Sequence, residues 1–233
     1  MTVAFPFYYH PDILENFPSL AGGAILAQGM RNGPSPEELK RAYRDEQQQV
    51  LARIGQAPLS EVKSLAGWRA AFRSFGVDPT QYRSAAEALL RRLTKKGDIP
   101  FINTIVDICN WVSIRHALPV AGFDLRSIRG VVTVRFASGN EAFNGIGELA
   151  GERPNPGEVI FTDEAGLVVA RRWCWRQSVE SATAEDTRAA LFTIEAQHAS
   201  GKDEVCRAIG ELQALLQEYA GGTYEVRPDM KTE

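Results

Sequence analysis

Cysteine is scarce. The 233 residues contain three cysteines, Cys109, Cys174 and Cys206, widely separated and without a C-x-x-C pair. An odd, scattered set argues against a disulfide framework and against a zinc site. It points to a reducing compartment, so the expected location is cytoplasmic. No apolar run approaches the length needed to cross a bilayer, so no membrane partner is expected. The opening residues, Met1 to Pro6, lack the basic start and small-residue cleavage site of a secretory leader, which points away from export. A strong excess of charge is also missing. With a net charge of −3 and a pI near 5.8, the chain as a whole is not a basic nucleic-acid binder. A local basic face remains open, because phosphate affinity depends on clustering. The motifs G-x-S-x-G, H-E-x-x-H, Walker A and G-x-G-x-x-G are absent. Gly145 to Gly147 supplies a lone G-x-G, which reads as a turn. With His10, His116 and His198 as the only histidines, a Ser-His-Asp or Cys-His arrangement is possible but unsupported, because a triad is defined by geometry that sequence does not show. No metal and no cofactor is implied.

A hydrophobic share of 44% with 24% charged residues marks a folded globular chain rather than a disordered one. Ser35 as N-cap, Pro36 at N1 and Glu38 in capping-box register predict a helix running to Gly55. Further helices are expected over 60–75, over 84–96 with Ser84 as cap and Gly97 as terminator, over 103–117, and over 203–219. Strands are expected from Val131 to Phe136 and from Arg188 to Gln197. The turn Asp163 to Gly166 should join a hairpin of Glu158–Thr162 and Leu167–Trp173. Helices that precede a largely antiparallel sheet, with one closing helix, give a mixed α+β fold with flanking helices. Residues 1–60 are read as an N-terminal extension of strand or coil plus one helix, 61–228 as the main domain, and 229–233 as a flexible tail.

Four features carry possible chemistry. Asp107, Asn110 and Ser113 fall at i, i+3 and i+6, a polar stripe on an otherwise apolar helix. An interior Asn either ties the helix to a neighbour or meets a ligand. In Arg171-Arg172-Trp173-Cys174-Trp175-Arg176-Gln177, strand alternation would place Arg172, Cys174 and Arg176 on one side and Arg171, Trp173 and Trp175 on the other. Indoles beside guanidinium groups either stack on a flat ligand or pack into the core under arginine stems. Glu195 interrupts an apolar strand. If it points inward it needs a partner, for which Arg172 or Arg176 could serve. An inward carboxyl could orient water or hold an ammonium group. Arg69, Arg73, Arg83, Arg91, Arg92, Lys95 and Lys96 form a basic cluster, either solvated surface or a face for nucleic-acid phosphates.

The span from Asp107 to Asp124 resembles the D-x-T-N-Y-V…Q-P-L-H-A-F-D signature of the third-and-fourth-domain module of the bacterial phenylalanyl-tRNA synthetase beta subunit. Asp107, Asn110, Val112, Pro119, Phe123 and Asp124 match it in register. Gly157 to Ala170 resembles that module's strand pair, and Thr187 to Glu195 its T…E segment. Stand-alone relatives of the module are similar at Gly76 to Pro79, Arg83-Ser84, Leu89 to Arg92 and Arg171 to Gln177. The resemblance implies a three-layer sandwich and a role in binding tRNA, aminoacyl-tRNA or a small amino-acid-like ligand. It also implies hydrolysis of the ester of mischarged tRNA. By position, Asn110 and Glu195 would be the catalytic pair, with Arg172, Trp173, Trp175, Arg176 and Gln177 binding substrate. Two positions depart from the pattern: Cys109 replaces the threonine and Ala121 the histidine. Nothing resembles the synthetase's aminoacylation domain. The alternative is a module that binds RNA or an amino-acid-like ligand without chemistry.

Overall fold

The computed structural model describes residues 5–147 and 151–230. The elements run β1 (Phe7–Tyr9), α1 (Pro11–Asn16), β2 (Leu20–Gln28), α2 (Glu37–Ile54), a 3₁₀ turn (Leu59–Glu61), α3 (Lys63–Ser74), α4 (Ala85–Lys96), α5 (Thr104–His116) and β3 (Val120–Asp124). They continue with β4 (Val132–Phe136), β5 (Val159–Thr162), β6 (Val168–Arg171), β7 (Arg176–Gln177), β8 (Ala189–Gln197), α6 (Gly201–Tyr219) and β9 (Thr223–Arg227). Two sheets have the orders β1-β4-β5-β6-β7 and β3-β8-β2-β9. Every pairing is antiparallel except β1 with β4. The mixed α+β class and the largely antiparallel sheets are as the sequence indicates.

Local chemistry fixes several helix ends. The Ser84 hydroxyl accepts from the Glu87 amide at 3.3 Å, and Gly97 closes α4 in the left-handed region at φ 82°. Asn103 caps α5 by accepting from the Val106 amide at 3.0 Å. Ser35 departs from expectation. Pro36 occupies the N-cap of α2, and the Ser35 hydroxyl instead donates to Asp107 Oδ2 at 2.5 Å, joining α2's entry to α5. Asp107 is buried and draws a second donor from the Ile102 amide at 2.9 Å, so it outcompetes a helix end that solvent can satisfy.

The expected order of helices before sheet is corrected by β2, which lies in the interior of its sheet between β8 and β9. Its sequence, Leu20-Ala-Gly-Gly-Ala-Ile-Leu-Ala-Gln28, shows no polar alternation because both faces are covered. The segment read as an N-terminal extension therefore holds two strands and two helices, one strand in each sheet. Of the expected tail, the Met230 amide donates to Gly22 at 2.8 Å and Asp229 pairs with Lys202 at 2.6 Å, while residues 231–233 lie outside the described residues.

β8 separates two cores. Phe192, Ile194 and Ala196 point toward the helical layer of α2, α4, α5 and α6, beside Tyr43, Ile108 and Ile209. Leu191 points the other way, into a cluster with Phe7, Phe123, Phe161 and Trp173, where α3 adds Trp68 and Phe72. By the same two-residue period Thr193 and Glu195 face that second cluster, between the sheets.

Candidate functional site

Between α5, β3, β8 and the turn after β6 lies a cavity of about 160 Å³. Asn110, Trp173, Trp175, Arg176, Gln177 and Glu195 all line it, with Cys109, Ala121, Cys174 and Thr193. Six of the seven residues singled out by sequence thus meet around one space, although they span 86 positions between Asn110 and Glu195. Arg172 is the exception. A cavity of about 150 Å³ holds a benzene ring, so this one accommodates an amino-acid side chain of that size.

The turn decides the arrangement. β6 stops at Arg171, and Arg172 and Trp173 take left-handed backbone angles, φ 44° and 59°. The expected strand alternation across 171–177 therefore fails. These conformations are costly for bulky residues and persist because the surroundings fix them. Arg171 is 1% exposed and clamps Glu158, with Nε to Oε1 at 2.9 Å and Nη2 to Oε2 at 3.0 Å. The Glu158 carboxyl also accepts the Arg172 amide at 2.9 Å. The Arg172 guanidinium is packed between the rings of Tyr82 and Trp175, 3.7 and 4.3 Å from their centroids. Burial and the neighbouring Arg171 hold its pKa below the usual guanidinium value. Arg172 shapes the turn and presents Trp175, which also carries Arg176 at 4.4 Å.

Trp173 is fully buried, and its indole N–H donates to Glu195 Oε1 at 3.0 Å. The arginine partner expected for Glu195 is therefore replaced by an indole: Arg172 is engaged by Glu158, and no ion pair among the described residues reaches Glu195. Tyr9 extends from β1 toward the same carboxyl. Its buried hydroxyl feels the Glu195 charge, although no hydrogen bond of good geometry is made to it. Gly22, paired with Glu195 across the sheet, makes the space: a Cβ there would fall 1.9 Å from the Tyr9 oxygen. Burial pushes the Glu195 carboxyl up to about 7, against the opposing pull of the Trp173 N–H and the nearby Tyr9 hydroxyl. At neutral pH it is poised between donor and acceptor, the condition for proton transfer. Sequence reading missed Tyr9 and Gly22, because only sheet pairing brings residues so far apart in the chain to Glu195.

The polar stripe on α5 divides. Asp107 serves Ser35 and Ile102, the Ser113 hydroxyl donates to the Leu118 carbonyl at 2.7 Å, and Asn110 alone reaches the cavity. Gln177 braces the rim by donating to the Gly122 and Ser181 carbonyls at 3.0 and 2.6 Å. Asp124 and Thr187, both in matched stretches, hydrogen-bond directly. Neither cavity thiol is activated: burial raises Cys174 well above the ordinary thiol value, with the charge of Glu195 adding to it, and pushes Cys109 up to about 12. Among the described residues no cluster of three or more His, Cys, Asp or Glu could hold a metal, and no helix is long and apolar enough to cross a membrane.

A family model described as the B3/4 domain matches residues 67–221. The chain belongs to the B3/4 domain family. This domain is found in the phenylalanyl-tRNA synthetase beta subunit. The match begins within α3 and runs just past the end of α6, and so includes every cavity residue named from the sequence. Among solved structures, an N-terminal fragment of the phenylalanyl-tRNA synthetase beta-subunit from Pyrococcus horikoshii is similar at TM-score 0.49 and 10% identity, over 95% of this chain. The chain spans 50% of that fragment's length. No curated protein matches the sequence.

Proposed function

We propose that this B3/4 domain binds the aminoacyl end of tRNA and hydrolyses its ester in the cavity floored by Glu195. The observation that carries the reading is a buried carboxyl, held by an indole rather than by a cation and lifted to about 7, at the wall of a side-chain-sized cavity. In this reading the aminoacyl side chain enters beside Trp173. Glu195 takes a proton from water as its oxygen attacks the ester carbonyl, and the proton is then delivered to the departing ribose hydroxyl. Asn110 supplies an amide N–H toward the carbonyl oxygen as it gains charge. Trp175 and Arg176 at the rim offer a flat, cationic seat for the terminal nucleotide. Resemblance to the third-and-fourth-domain module of the synthetase supports the same assignment, and the expected setting is cytoplasmic.

One observation favours a second reading, a module that binds without reacting. Ala121 lines the cavity where the resembling module carries histidine, so one proton-handling side chain is missing. The test is deacylation of a panel of correctly and incorrectly charged tRNAs by wild type and Glu195→Gln. Hydrolysis by wild type that the substitution abolishes is the expected result. A panel left intact, with tRNA still bound, would replace the hydrolase by the binding module.

A further inference from the structure

Helix α4 starts at the cavity wall. Ala85 lines the cavity, and its amide donates to the Cys174 carbonyl at 2.8 Å. From there the helix turns Ala86, Glu87, Leu90 and Leu93 inward and leaves Ala88, Arg91, Arg92, Lys95 and Lys96 exposed. Ala85, Ala88, Arg92 and Lys96 lie at i, i+3, i+7 and i+11, so they share one stripe. At about 1.5 Å per residue, Arg92 stands about 10 Å and Lys96 about 16 Å along the axis from Ala85. Arg91 and Lys95 flank the stripe.

Of the exposed cations on this face, Arg92 alone has an ion-pair partner among the described residues. Glu87 is the helix's single acid and is buried beneath Arg69, 2.7 Å away. Asp98 approaches Arg92 at 3.6 Å, but both are exposed to solvent. Arg91, Lys95 and Lys96 form no ion pair with a described residue. Four exposed cations thus stand within six consecutive residues of a chain whose net charge is −3. A stripe of point charges leading away from a cavity fits a flexible polyanion whose end enters that cavity.

We infer that the outer face of α4 is the track for the phosphates of a single-stranded RNA 3′ end, with Arg92 and Lys96 as contacts to successive phosphates. The inference rests on the reading of the cavity as the seat of the aminoacyl end. The first measurement is affinity of the full chain for uncharged tRNA across a salt series, for wild type, R92A/K96A and a charge-matched control, R41A/K63A. Each single-strand phosphate contact contributes a slope of about 0.7 in log K against log salt, so losing two lowers the slope by about 1.4 and the affinity about 25-fold at about 0.1 M salt. The control, drawn from exposed cations of α2 and α3, should retain wild-type affinity and slope. Equal affinities for R92A/K96A and wild type, equal losses in both variants, or no tRNA binding by wild type would each overturn the track. A second measurement uses an aminoacyl ester of adenosine, which carries no phosphate. Unchanged hydrolysis of it by R92A/K96A supports the track, whereas loss would place the damage in the cavity and overturn it. Absence of hydrolysis by wild type, together with the expected tRNA losses, would retire the proposed chemistry and leave the track standing.

Discussion

Replacing Glu195 by Gln should remove a pH dependence from the stability of the fold. Gln has the same shape, and its carbonyl oxygen can still accept the Trp173 N–H, so the substitution isolates the charge. In the folded chain the carboxyl is raised from 4.5 to about 7 by burial, so the native state holds the proton more tightly than the unfolded state does. The sign follows: the stabilisation is fully present below about 4.5 and disappears as pH rises through about 7. At about 1.36 kcal/mol per pH unit, wild type should lose roughly 2–3 kcal/mol from this group between about pH 5 and about pH 8. Urea denaturation reads this directly, since a slope of about 2 kcal/mol per molar converts the loss into a midpoint shift of about 1 M. Other groups titrate over the same interval, so the decisive quantity is the change in wild type minus the change in the Glu195→Gln variant. A difference near zero would refute a buried, near-neutral carboxyl between the sheets. It would also remove the basis for proton transfer by Glu195.

The remaining predictions concern the supports of that carboxyl. Glu158→Ala should cost about 1–3 kcal/mol in chemical denaturation, because it removes two charged hydrogen bonds from the Arg171 guanidinium, which Glu152 still pairs, and frees the buried Arg172 amide. Gly22→Ala should destabilise by about 1–3 kcal/mol, because the new methyl collides with the Tyr9 ring at the sheet centre; a crystal structure should show Tyr9 displaced from Glu195. Trp173→Phe removes the larger of the two influences that lower the Glu195 pKa, leaving the Tyr9 hydroxyl. The pH at which wild-type stability falls should therefore move upward in the variant, and an unmoved midpoint would mean that the indole does not hold the carboxyl.

Elements whose signals are local were readable from the chain. Ser84 with Gly97 bounds α4, Asn103 caps α5, and Asp163 to Gly166 turns β5 into β6, because each depends on residues within a turn of one another. The α+β class follows from the same periodicities. β2 was not readable, since a strand covered on both faces loses the alternation that marks a strand. Ser35 misled for a related reason: its sequence context is that of a cap, and the partner that won it, Asp107, is 72 positions away.

The candidate site shows the same division. Sequence by itself determined which side chains were out of place: an Asn inside a helix, a Glu inside an apolar strand, and indoles set among arginines. Their meeting around one cavity was decided by tertiary structure. The indole that holds Glu195 is there because Arg172 and Trp173 leave the strand in left-handed conformations, and those are held by the buried Arg171–Glu158 clamp. The carboxyl's ionisation was decided there too, since burial between two sheets arises only when β2, β8 and the five-stranded sheet close over it. Residue identity sets what a group can do; its dielectric surroundings and partners, which only the fold supplies, set the state in which it does it.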